Sequence, residues 1–145
     1  MSVCYLDASA LVKLATHELE TDALREHLSQ YSSRATSRLA AVEVPRALER
    51  RGAESVAAAG GALAETFEGL LMVELDNTIT LRAAGIEPAQ LRSLDAIHLA
   101  SALSMGDELE AVVTYDRRLA DAARAAGLTV VAPGVTSVEA RARGG

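Results

Sequence analysis

Four carboxylates interrupt apolar runs in this chain, and that constrains its fold more than any other feature. Asp7 closes Val3-Cys4-Tyr5-Leu6, and Glu43 lies among Ala40, Ala41, Val42 and Val44. Asp95 falls between Leu94 and Ala96-Ile97, and Asp116 follows Val112-Val113-Thr114-Tyr115. A carboxylate in apolar surroundings is costly unless it is paired or hydrogen-bonded. Four carboxylates drawn toward one point repel one another unless a cation sits among them. The fold must therefore either leave these residues at separate turns or gather them around a hard divalent metal. The second arrangement points to phosphate-ester chemistry.

Strand-like and helix-like segments alternate along the chain. Residues 2–6 read as a strand, 8–15 as a helix, 18–30 as a second helix and 34–36 as a brief strand. Ser37 is positioned as the N-cap of a helix reaching Arg51, with Gly52 as its stop and Pro45 expected to kink or restart it. That start places Glu43 about two turns into the helix. A helix over 53–70 is loosened at Gly60-Gly61, and 72–75 is a third strand. Asp76 caps a helix to Ala84 that Gly85 ends, and Ser93 caps the helix carrying Asp95 to Met105. Residues 111–115 form a strong strand, 117–126 a helix closed by Gly127, and 128–132 the last strand. This alternation implies one α/β domain over 1–145, a mostly parallel sheet of four to five strands sandwiched between helical layers. The tail from 135 to 145 is expected to be partly mobile.

In open α/β sheets, ligands bind beyond the carboxyl ends of the strands, where the strand order reverses. Asp7 and Asp116 each follow a strand, and Asp95 lies in the first turn of a helix, where the dipole favours an ionised carboxylate. The longer Glu43 side chain could reach such a site through water. Each acid also has a plainer reading: Asp7 and Asp116 as helix caps, Asp95 as dipole compensation. Glu43 is harder to explain away, given its apolar neighbours. His98, one turn after Asp95, could orient a carboxylate or a phosphate, or simply make a structural hydrogen bond. His17 and His27 lack partners at zinc-site spacing, and neither a P-loop nor a Gly-x-Gly-x-x-Gly motif is present.

Charge narrows the partners. The net charge is −6, and the 14 basic residues include a single lysine, Lys13, so no uniformly basic nucleic-acid face exists. Arginines cluster instead at Arg46, Arg50 and Arg51 and at Arg117-Arg118, beside two of the acids. Such clusters are solvated faces or anion sites, and the planar guanidinium suits phosphate. The one cysteine, Cys4, excludes an internal disulfide, fits a reducing cytoplasm and reads as buried and inert. The first strand begins at Ser2, so no leader is expected, and no apolar run nears the roughly 20 residues of a membrane span.

Taken in order, Tyr5-Leu6-Asp7-Ala8-Ser9-Ala10-Leu11-Val12-Lys13, then Glu43, then Leu94-Asp95-Ala96-Ile97-His98-Leu99-Ala100-Ser101-Ala102 and Val113-Thr114-Tyr115-Asp116-Arg117-Arg118-Leu119 resemble the PIN-domain family, especially the VapC-type toxins of bacterial toxin–antitoxin pairs. The resemblance extends to about Pro133. It implies a PIN-like fold and a Mg²⁺- or Mn²⁺-dependent endoribonuclease with Asp7, Glu43, Asp95 and Asp116 as its catalytic and metal-holding quartet, Glu43 through water if not directly. Ser9 and Thr114 match polar positions that support the acids. The resemblance further implies an RNA substrate, a cognate antitoxin whose segment occupies the acidic crevice, and a homodimer with no membrane association. Because the chain is acidic overall, RNA contact is expected from local arginines, Arg46, Arg117 and Arg118.

Other classes remain open at this point. A PIN-domain nuclease could process RNA outside a toxin pair. A Mg²⁺-dependent phosphoryl-transfer domain also places an Asp after its first strand, but it needs a second acid beside it and a late lysine, and Lys13 is the only lysine. A non-catalytic binding module that kept the fold would bind neither Mg²⁺ nor Mn²⁺.

Overall fold

A computed structural model of the chain describes residues 2–135. Strands β1 (Val3–Leu6), β2 (Ser33–Ser37), β3 (Leu70–Val73), β4 (Leu109–Val113) and β5 (Val130–Val131) form one 5-stranded sheet in the order β3-β2-β1-β4-β5, and every pairing is parallel. The central strand explains its own composition. Alternate residues of β1 enter opposite layers, Cys4 and Leu6 on one side and Val3 and Tyr5 on the other, so all must be apolar or satisfied.

On the first side lie α1 (Ala8–Ala15), α2 (Thr21–Leu28), α3 (Ala40–Arg51) and α4 (Ala53–Glu68), whose Leu11, Leu24, Leu28, Val44 and Leu48 fill the core. On the second lie α6 (Ser93–Leu103) and α7 (Arg117–Ala125), with α5 (Asn77–Ala84) packed on α6. Alanines such as Ala102, Ala122 and Ala123 let these helices approach the sheet closely. Burial pushes the Cys4 thiol up to about 11, which makes it inert as a nucleophile. Among the described residues, no helix is long and apolar enough to cross a membrane.

Several boundaries differ from the sequence expectation. Ser37 does not cap α3; it ends β2, where it pairs with Val73, and the ladder continues through Arg38 N–H to the Val73 carbonyl. Leu39 is the N-cap, without a side-chain bond, so α3 starts at Ala40 and Glu43 lies in its first turn rather than two turns in. Pro45 removes the bond to the Ala41 carbonyl, yet α3 runs through it, because buried Val44 and Leu48 pin it on either side. Ser93 is the first residue of α6 and not its cap, which is Arg92.

β2 is longer than expected, while α2 is shorter, running from Thr21 to Leu28, and β5 is only two residues. β3 and β4 each begin two residues early. The break in α4 does fall at Gly60, whose φ of 36° and ψ of −124° are open to glycine. Asp76 caps α5 by accepting from Ile79 N–H at 2.9 Å. Beyond Val135, the expectation for the tail lies outside the described residues.

This topology prepares a site. From β1 the sheet grows through β2 and β3 on one side and through β4 and β5 on the other, so the order reverses between β1 and β4. The chain leaves β1 at Asp7 and leaves β4 toward Thr114, Tyr115 and Asp116, all at the carboxyl edge. Replacing Asp76 with Ala is expected to lower the unfolding free energy by about 1 kcal/mol through loss of one cap, measured by urea denaturation with an unchanged circular dichroism spectrum.

Candidate active site

Asp7 is the fixed point of the crevice. It caps α1, and its Oδ1 accepts from Ala10 N–H at 3.1 Å and from the Ser9 hydroxyl at 2.7 Å. Its Oδ2 accepts from the Thr114 hydroxyl at 2.7 Å, across from the end of β4. With both hydroxyl protons given to Asp7, the 3.4 Å approach of Ser9 Oγ to Thr114 Oγ1 has no proton to share. Ser9 Oγ in turn accepts from Tyr115 N–H at 2.9 Å, and Thr114 Oγ1 from Asp116 N–H at 3.0 Å. The two supporting residues expected from the sequence thus stitch the ends of β1 and β4 together through Asp7.

Asp116 caps α7, with Oδ1 accepting from Arg118 N–H at 2.9 Å. Asp95 behaves differently. It is buried at the start of α6, and among the described residues no hydrogen bond or ion pair reaches its carboxylate. Burial raises the Asp95 pKa first, and the charge of Asp116 and then that of Asp7 raise it further, against His98 and Arg118. The Asp7 carboxyl is also pushed up, by burial, although His98, Ser9, Thr114 and Ala10 N–H oppose the shift. Asp95 therefore feels the charges of two aspartates that come from two other parts of the chain.

Glu43 reaches the crevice from α3, but its Oε1 is bound to His98 Nε2 at 2.5 Å. The other ring nitrogen, Nδ1, lies 2.6 Å from the Tyr5 hydroxyl. Burial pulls the His98 pKa down, yet the Glu43 hydrogen bond and the charges of Glu43, Asp7 and Asp95 leave it above the usual imidazole value. Sequence reasoning had His98 as an orienting or structural group; it missed Tyr5, whose only signal was a polar tip in a wholly buried strand. It also missed Lys13, which pairs with Glu18 and Glu20 and lies 4.8 Å from the Tyr115 ring centre.

A cavity of about 560 Å³ opens beside Glu43, between α1 and α3. Val42 and Leu94 on its wall are largely exposed, and Arg46 and Arg50 stand on its rim. Of the expected RNA contacts, Arg46 is therefore in the cavity. Arg117 lines a separate, smaller cavity beyond Asp116, 3.8 Å from Asp121. Arg118 contributes its backbone to the Asp116 cap and its charge to Asp95.

The donor set is all oxygen, which suits a hard divalent cation. Among the described residues, no three acidic, histidine or cysteine side chains close around one point. Glu43 is held by His98 and Asp7 by its three donors, so the aspartates form an open set. Such an open set fits a cation that binds through one or two carboxylates and retains water.

The PIN domain family profile matches residues 4–125 of this chain. Ribonuclease VapC46 of Mycobacterium tuberculosis is 44% identical over 133 residues, covering 92% of this chain and 99% of its own. Among solved structures, M. tuberculosis VapC20, described as a Sarcin-Ricin loop cleaving toxin, superposes with a TM-score of 0.66 at 17% identity, covering 90% of this chain and 99% of that one. Rickettsia felis VapBC2, solved bound to a DNA fragment from its promoter, gives 0.66 at 12% identity, covering 89% and 97%. With a profile spanning most of the sheet and a full-length relative at this identity, the chain belongs to the PIN-domain family.

Proposed function

We propose that this chain is a divalent-metal-dependent endoribonuclease, the toxin half of a toxin–antitoxin pair. The observation that carries the reading is Asp95, whose carboxylate takes no protein donor and opens to the crevice, and whose proton affinity is raised first by burial and then by the charges of Asp116 and Asp7. A site that concentrates unpaired negative charge at the sheet's switch point is built for a cation. Asp7, Asp95 and Asp116 would hold Mg²⁺ or Mn²⁺ between them, one or two directly and the rest through its retained water. Such an ion, when bound, supplies Lewis-acid stabilisation of charge on the scissile phosphate. Glu43 faces the cavity with one oxygen uncommitted and takes up the proton of the attacking water. Ser9 and Thr114 aim Asp7 and favour its ionised form against the effect of burial by donating to both of its oxygens. VapC46, a ribonuclease aligned over nearly its whole length, supports the choice of RNA as substrate.

Arg46, Arg117 and Arg118 are the groups we assign to the RNA backbone. An antitoxin segment would lie in the cavity between α1 and α3, its apolar side chains on Val42 and Leu94 and an arginine reaching the carboxylates in place of the metal's charge. A Klebsiella pneumoniae toxin–antitoxin complex shares the fold, with a TM-score of 0.63 at 21% identity, which is compatible with that partner. We also infer a homodimer, since Leu71 on edge strand β3, Leu75 and Leu81 leave apolar surface exposed. A cytoplasmic location suits both the RNA substrate and the free Cys4 thiol.

Three outcomes test this reading. Glu43→Gln is expected to slow metal-dependent RNA cleavage by roughly 10²–10⁴-fold, and Asp95→Asn to abolish it, both followed with end-labelled RNA and mapped 5′ ends. Removing Arg117 and Arg118 together is expected to flatten the salt dependence of RNA binding by about 0.7 in log–log slope for each phosphate they neutralise; an unchanged slope rules out a phosphate role for either arginine. The third concerns pH. The Asp95 pKa is raised on folding, so its contribution to stability is complete below its ordinary value of 3.8 and is lost as pH rises through the raised value. Metal-free Asp95→Asn should therefore melt above the wild type at neutral pH, with the gap closing as the solution is acidified. Mn²⁺ should raise the melting temperature of the wild type and leave the variant where it is.

A further inference from the structure

The same two elements that supply Asp7 and Asp95 also supply a buried strut under Glu43. Tyr5 stands two residues before Asp7 on β1 and is wholly buried; His98 stands three after Asp95 on α6 and is 3% exposed. The rings meet edge to face, with centroids 5.8 Å apart and planes at 72°. Tyr5 Oη touches His98 Nδ1, and His98 Nε2 touches Glu43 Oε1. A carboxylate only accepts, so Nε2 carries a proton directed at Glu43. Nδ1 then accepts from the Tyr5 hydroxyl when the ring is neutral and donates to it when the ring is charged, and the chain of hydrogen bonds survives either way.

We infer that His98 is a positioning residue for Glu43, braced by Tyr5, and that this strut sets Glu43 apart from the aspartates so that it directs water and does not bind the cation. The inference rests on the nuclease reading above and divides labour within its four acids. Glu43 has three side-chain torsions and, without an anchor, would sample the cavity or swing toward the aspartates. The strut fixes one of its oxygens and leaves the other facing the cavity. Because α6 carries both Asp95 and His98, and β1 leads from Tyr5 into Asp7, the position of Glu43 is referenced to the aspartate cluster through rigid elements.

The test compares full-length wild type, His98→Gln, His98→Asn, Tyr5→Phe, Glu43→Gln and Asp95→Asn. Cleavage of a labelled random-sequence RNA pool is followed alongside Mn²⁺ binding by calorimetry. Asparagine keeps an amide near Nδ1 but cannot reach Glu43, whereas glutamine can. His98→Asn is expected to lower kcat roughly 10–100-fold with little change in KM or in Mn²⁺ affinity. His98→Gln recovers part of that loss, and Tyr5→Phe, the gentler variant should His98→Asn fold poorly, shows a smaller loss of the same kind. Glu43→Gln keeps Mn²⁺ binding, and Asp95→Asn loses it. Loss of Mn²⁺ binding in Glu43→Gln, or in folded His98→Asn, would overturn the division of roles, and so would an unchanged kcat across the His98 and Tyr5 variants. A downfield imidazole N–H proton resonance, present in wild type and lost in Glu43→Ala, reports the strut without any RNA. If that resonance is present but no RNA is cut, the nuclease reading fails and the strut stands; if RNA is cut and the resonance is absent, the strut alone fails.

Discussion

Asp7 is a carboxylate, 4% exposed, at the end of the central strand. Leaving it unsatisfied there would cost several kcal/mol, and its donors come from two distant parts of the chain. Ser9 and Ala10 are local, but Thr114 arrives from the far side of the β1–β4 pairing. The requirement to satisfy Asp7 thereby fixes how β4 ends, where Thr114 turns and where Asp116 begins the next helix. The crevice does not form on a finished sheet; it is the place where the sheet's two halves are tied.

Around that tie, charge and packing oppose each other. Burial, and after it the charges of Asp116 and Asp7, raise the proton affinity of Asp95, while burial raises that of Asp7. Opposing cations are few. Lys13 is engaged with Glu18 and Glu20, and His98 with Glu43. The charge imbalance faces outward into the crevice, where an exogenous cation is the natural counterweight.

The alternation of apolar runs and helical segments made the parallel sandwich legible, and Asp7, Asp95 and Asp116 could be placed because each stands at the end of a strand or the start of a helix. What escaped was decided by tertiary hydrogen bonds. Ser37 has the chemistry of a cap, and its hydroxyl does accept from Leu39 N–H, but its backbone belongs to the ladder with β3, so the helix starts later and Glu43 falls in the first turn of α3. Pro45 looked disruptive because its missing bond could be counted, while the packing of Val44 and Leu48 could not. The Tyr5–His98–Glu43 chain joins three elements separated by 93 and 55 residues, and no local pattern announces a link of that kind.

Asp7 and Asp116 are both helix caps as well as members of the crevice, but they differ in how many of their oxygens are spoken for. Asp116 uses one oxygen on backbone N–H groups, and asparagine serves that purpose as well as aspartate. Asp7 accepts at both oxygens, so an amide nitrogen there would meet a hydroxyl already donating toward it. Divergence that silences such a crevice while keeping the fold therefore has an easy path at Asp116 and an obstructed one at Asp7. Where such a crevice diverges, the Asp116 position should drift first, and the carboxylate at the end of β1 should persist as architecture because it ties two strands.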